Sequence, residues 1–304
     1  MVVLQVMLEL FFIILIGYFL AKKNVMNQDT AKRISVLVVN ITFPALIIAS
    51  VSANLDQGSL SSVMGIFLLG IICYAVLPLF AWIFGKCIRV PEEQQGIYQF
   101  MFIFGNCAFM GYPVLAAIFG SQAIFLGAIF NLPFNLLAFS YGIMLVCRDG
   151  EKKAGFQPSK LLNPGIVASL LALLIYGVQL RLPLILVDLC DMLGNMTTPL
   201  SMLVLGVSLA ELPIKDVFLD VRIYLMSFIR LLLIPFLTYF LLQLFVSDTM
   251  SIGVAVISFA MPVASMAVML SSQYEGNVKL ASIGVFVSTL LSVITIPIIS
   301  ALLF

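Results

Sequence analysis

The sequence predicts an all-α integral membrane protein of ten transmembrane helices, arranged as a five-plus-five inverted repeat with proline-broken helices 4 and 9. Three observations predict it. Of the 304 residues, 62% are hydrophobic and 10% charged, whereas soluble domains carry about 25% charged residues. Apolar stretches long enough to cross a bilayer, about 20 residues each, follow one another along the whole chain. Proline-centred marks in the first half recur, in the same order, in the second.

Between charged or turn-rich breaks the spans run over 3–21, 34–52, 61–85, 96–119, 123–147, 164–181, 188–210, 222–246, 250–272 and 279–303. Almost nothing remains for a soluble domain. The connection from Cys147 to Pro164, CRDGEKKAGFQPSKLLNP, separates a first five-helix repeat (1–147) from a second, inverted one (164–304), with 148–163 as a cytoplasmic linker. The N-terminal stretch lacks the basic region of a signal peptide and ends in Lys22-Lys23, so it reads as a retained first span.

Loops after spans 1, 3, 5, 7 and 9 hold Lys22, Lys23, Lys32, Arg33, Lys86, Arg89, Arg148, Lys152, Lys153, Lys160, Lys215, Arg222 and Lys279, 13 of the 15 basic residues. The positive-inside rule then places these loops in the cytoplasm and both termini outside the cell membrane. A net charge of +1 therefore reports topology rather than a soluble partner. No basic patch with interleaved aromatics points to nucleic acid. The five cysteines, Cys73, Cys87, Cys107, Cys147 and Cys190, have no CxxC spacing and read as small buried apolar residues. No metal or other cofactor is expected.

The repeat is carried by three matches. Asn40-Ile-Thr-Phe-Pro44 in span 2 answers Asn195-Met-Thr-Thr-Pro199 in span 7; Leu77-Pro78 in span 3 answers Ile234-Pro235 in span 8; Gly111-Tyr-Pro113-Val in span 4 answers Ala260-Met-Pro262-Val in span 9. A five-span unit crosses the membrane an odd number of times, so its copy is inserted upside down, a plan that recurs in secondary transporters with substrate near the midplane. Pro113 should deprive the carbonyl of Phe109 of its helical partner, and Pro262 that of Ser258. In hydrocarbon such a break is tolerated only beside protein or a wet cavity. Each new half-helix presents free N–H groups and a positive dipole end, so the predicted ligand is an anion.

GYFLAKKNVMNQDTAKRISVLVVNITFPAL, GNCAFMGYPVLAAIFG and AMPVASMAVMLSSQYEGN together resemble the auxin efflux carrier family of bacterial permeases and plant auxin exporters. The resemblance covers essentially the whole chain, and its short central loop resembles the bacterial branch. It implies a scaffold of spans 1, 2, 6 and 7, a mobile transport unit of spans 3–5 and 8–10 moving in elevator fashion, and crossing helices 4 and 9 at the substrate site. On that crossing it places Asn106, Tyr112, Pro113, Met261, Pro262 and Ser265. It implies small carboxylates such as malonate or malate, or auxin-like acids, as substrates.

Each residue also has a plainer reading. Asn106 and Tyr112 could bond a neighbouring helix, worth about 0.6 kcal/mol; the mirrored break favours substrate contact. Arg230, the basic residue well inside a span, costs roughly 2.5–3.5 kcal/mol on insertion scales and must face protein or water. It either attracts a carboxylate or pairs with Glu9. Asn40 and Asn195 lie on scaffold spans and are expected to bond between helices; Glu211 and Glu275 fall at solvated helix ends. A membrane-embedded enzyme is disfavoured by the lack of histidine and of HExxH, and a channel by the lack of a filter-like stretch. The nearer alternative is a cation/proton antiporter of similar crossed-helix plan, which would need an intramembrane carboxylate that spans 4 and 9 do not supply. Protons or sodium ions are candidate coupling ions, and a homodimer a candidate assembly.

Overall fold

A computed structural model describes residues 2–53, 55, 60–120, 122–148, 164–210 and 220–304. The described residues are helical: α1 (Val2–Lys22), α2 (Gln28–Ser52), α3 (Leu60–Cys87), α4 (Gln95–Ile103), α5 (Cys107–Phe119), α6 (Gln122–Arg148), α7 (Pro164–Gly177), α8 (Leu184–Ala210), α9 (Val221–Gln243), α10 (Thr249–Ala260), α11 (Met266–Gln273) and α12 (Val278–Leu303). Seven of these, α1, α2, α3, α6, α8, α9 and α12, are long and apolar enough to cross a membrane; α5, α7 and α10 are shorter apolar helices. Lys152, Lys153, Lys160, Glu211 and Lys215, with the linker beyond Arg148, lie outside the described residues.

The outer surface confirms the solvent. Phe12 and Phe19 of α1, Ile72 and Leu79 of α3 and Ile185 of α8 are all more than half exposed. Rows of large apolar side chains of this kind would aggregate in water but are solvated by lipid. The interior is aromatic and aliphatic, with Tyr74, Phe100, Phe104, Phe125 and Phe130 almost wholly buried.

Three prolines follow a widened turn, whereas Pro78 and Pro297 sit in regular helix and the wide turn Ala138–Gly142 precedes no proline. The five-residue π-helical turns Val38–Thr42, Cys107–Gly111 and Ile229–Leu233 each end two residues before a proline, at Pro44, Pro113 and Pro235. The ring clashes with the carbonyl four residues back and supplies no N–H; widening the preceding turn relieves the clash without opening the helix. Pro113 therefore does not break its helix, contrary to expectation. The chain opens upstream, where Phe104 is extended and Asn106 caps α5, and Pro113 sits in the first α-helical turn beyond the wide one.

Packing sorts the helices. α1 runs along the second half of α8, and α2 packs against both α7 and the first half of α8. Glycine permits the closest approach: a Cβ on Gly17 would strike the Leu203 carbonyl, and one on Gly206 would strike Ile14 and Tyr18 backbone. α3 lies against α4 and α6, and α12 contacts α9, α10 and α11.

Candidate functional site

The two interruptions, Phe104–Asn106 between α4 and α5 and Met261–Ser265 between α10 and α11, meet each other. Gly105 and Val263 form an antiparallel bridge. Asn106 N donates to the Pro262 carbonyl at 2.8 Å, and Ala264 N donates to the Phe104 carbonyl at 3.0 Å. Val263 N donates to Ser288 Oγ of α12 at 3.0 Å. Backbone groups that would be orphaned in hydrocarbon thus find partners in the other interruption.

The leftover ends segregate by polarity. On one side lie the C-terminal ends of α4 and α10, and both terminate on Arg230. Its Nη1 donates to the carbonyls of Met101 (3.1 Å) and Phe102, and its Nε to that of Met261 (3.1 Å). The side chain, from the wide turn of α9, is 2% exposed. Each helix C-terminus carries roughly half a negative charge, so a cation is stabilised where two converge. The Ser258 carbonyl, freed by Pro262, accepts from Cys107 Sγ at 3.2 Å. Cys107 is thus a tie between the broken helices rather than packing alone, a role its spacing did not signal.

On the other side lie the N-terminal ends of α5 and α11. Neither Asn106 nor Ser265 caps its helix with its side chain. Both ends border a small cavity of about 30 Å³ lined by Asn106, Cys107, Tyr112, Asn131, Asn135 and Ser265, among others. Asn106 and Asn131 are each 3% exposed; among the described residues neither Nδ2 group makes a hydrogen bond of good geometry, although the Tyr112 hydroxyl lies beside Asn131. Tyr74 donates to Asn131 Oδ1 at 2.7 Å, which leaves the amide nitrogen as the free end. Buried donors of this kind cost about 1–3 kcal/mol each unless a ligand accepts from them.

The small cavity adjoins a larger one of about 500 Å³, the two sharing Val39, Phe109, Phe139, Ser265 and Met266. Gln28, Lys32, Asn40, Ser201, Ser208 and Tyr274 also line the larger cavity, whose size suits a small-molecule ligand.

Of the residues singled out from sequence, Asn106, Tyr112 and Ser265 line the small cavity, Phe109 lines both, and Asn40 the larger. Met261 and Pro262 contribute backbone carbonyls, and Pro113 lines neither cavity. Asn195 is exposed and donates to Asp191 at 3.0 Å. Arg230 does not pair with Glu9, which is exposed and accepts from Gln5 at 2.9 Å. Asp188 and Asp191 at the exposed start of α8 went unremarked in the sequence reading. So did Asn131 and Asn135, although two amides four residues apart on one face of an apolar span were a readable signal.

A multi-pass helical membrane protein with paired helix breaks beside a cavity belongs among membrane carriers. A profile of the membrane transport protein family matches residues 2–300, and the chain belongs to that family, the auxin efflux carriers. It is 26% identical to an uncharacterized transporter of Methanocaldococcus jannaschii, covering 97% of each chain. It is 25% identical to an uncharacterized transporter of Methanothermobacter thermautotrophicus, covering 98% of each. Those relatives are transporters rather than enzymes by name.

Proposed function

We propose that this membrane transport protein is a secondary carrier of small organic anions, with mono- or dicarboxylates such as malonate or malate as candidate substrates. The observation that carries the reading is the pair of unpartnered, buried amide donors, Asn106 and Asn131, beside two helix N-termini. The amides and the helix N-termini offer N–H, and among the described residues no carboxylate lines the small cavity, which suits an anion and argues against a cation/proton antiporter.

The architecture we propose is a ten-helix, five-plus-five inverted repeat, with α4–α5 and α10–α11 as single interrupted spans that cross at the paired breaks. The packing of α1, α2, α7 and α8 on one another supports a scaffold, and the contacts among α3–α6 and α9–α12 a transport unit. With the basic loops in the cytoplasm of a cell-membrane protein and both termini outside, Lys32 and Tyr274 in the lining of the larger cavity support a mouth on the cytoplasmic side. Alternating access then follows from sliding the unit and its anion past the scaffold.

Counterflow in proteoliposomes without imposed ion gradients tests the reading. Labelled malonate, malate, lactate and an indole carboxylate are offered in turn. Saturable exchange of any one supports a carboxylate carrier; no exchange by any, from correctly inserted protein, sinks it.

A further inference from the structure

We infer that the transported species carries a single negative charge, and that Arg230 is the positioning residue that sets this valence. The inference rests on the organic-anion reading above and sharpens it to monocarboxylates and singly ionised dicarboxylates.

The argument begins with charge. Four helix ends meet at the paired interruptions: two N-termini, each roughly half positive, and two C-termini, each roughly half negative. By themselves they cancel. Arg230 adds one formal positive charge, and it is held by three carbonyls rather than by an acid. The ionisable groups that face its guanidinium are the Cys107 thiol and the Tyr74 hydroxyl. Among the described residues no charged side chain lines the small cavity. The region therefore presents one uncompensated positive charge in a dry interior, where unbalanced charge is expensive.

The charge lies close to the cavity. Gly105 lines it, and a Cβ on Gly105 would collide with Arg230 Nη2, so the guanidinium rests against the backbone that forms the cavity wall. The cavity itself, about 30 Å³, has room for about two water-sized groups, which fits the two oxygens of one carboxylate. Beyond it, Val39, Phe109, Phe139 and Met266 form an apolar collar toward the larger cavity. A single carboxylate brings the buried charge to zero and accepts from Asn106 and Asn131. A second carboxylate on a short dicarboxylate would lie in the apolar collar, among Val39, Phe109, Phe139 and Met266.

The test compares malonate with malonamate, in which an uncharged amide of nearly the same shape replaces one carboxylate. Each competes, at neutral pH, against counterflow of whichever labelled carboxylate the protein exchanges. Malonamate is expected to compete at least about tenfold better, and malonate to close the gap as pH falls through its second ionisation. Malonate that competes as well as malonamate at neutral pH overturns the inference and leaves the carboxylate-carrier reading intact; absence of all carboxylate exchange overturns both. Two variants then test Arg230 by a readout that loss of fold would not mimic, the malonamate-to-malonate ratio. Arg230→Lys keeps the charge and should keep the ratio at a reduced rate. Gly105→Ala pushes the guanidinium away and should shrink the ratio toward unity; a ratio unmoved by it overturns the part assigned to Arg230.

Discussion

The two interruptions do the same job with different local chemistry. At Met261–Ser265 the breaker lies in the break, since Pro262 itself denies Ser258 its helical partner. At Phe104–Asn106 no proline is present, and the chain opens at Gly105 and Asn106, seven residues before Pro113. What holds the first break open comes from elsewhere: the bridge to Val263, and Arg230 on the carbonyls of Met101 and Phe102. A helix stays broken in a membrane only when its freed groups have a destination, and a distant arginine supplies one as well as a local proline does.

That comparison predicts an order of effects. The largest belongs to Arg230→Met, which leaves three buried carbonyls without their donor at about 1–3 kcal/mol each. Both interruptions should lose their anchor, with a marked fall in thermal stability by fluorescence-detected size exclusion and counterflow at background. Next is Asn106→Asp, which sets a negative charge between two N-termini; the fold should benefit from the dipoles while anion exchange falls by about 100-fold, since like charges in a binding site cost several kcal/mol. A normal exchange rate in this variant would remove the anion site from the paired breaks. Asn131→Leu removes one donor to the bound anion and should raise the concentration for half-maximal exchange about tenfold with little change in maximal rate.

A smaller effect separates the two prolines. Because the helix opens upstream of Pro113, Pro113→Ala should relax only the wide turn and alter exchange by less than about threefold, a milder outcome than a helix broken at Pro113 itself would give. If its exchange is lost at equal abundance, the break at Phe104–Asn106 depends on that turn after all. Asn195→Ala, on an exposed helix end bonded to Asp191, should fall within about 0.5 kcal/mol of the parent in stability.

Much of the site was legible without coordinates, for a physical reason. Pro262, Asn106 and Ser265 stand out because polar and helix-breaking residues are costly in an apolar run, and the cost itself marks them. Arg230 was visible on the same ground, but its partners were not. A carbonyl is present at every residue and leaves no trace in composition, so three carbonyls from two other helices are an invisible partner, and Glu9 stood in for them on charge alone. Cys107 was overlooked because a buried thiol looks like packing until a carbonyl is found beside it.

The sequence by itself determined the solvent, the helical class and the family, since apolar length, charge density and recurring motifs are properties of the chain read in one dimension. It also marked the two proline-bearing helices, at Pro113 and Pro262, as the ones to be interrupted. Only the tertiary structure decided where the first helix opens, which ends Arg230 receives and which amides are left to a ligand. Those outcomes depend on which backbone groups from distant segments reach one another, and hydrogen-bond partners across 128 or 151 positions of chain are set by packing rather than by any local pattern.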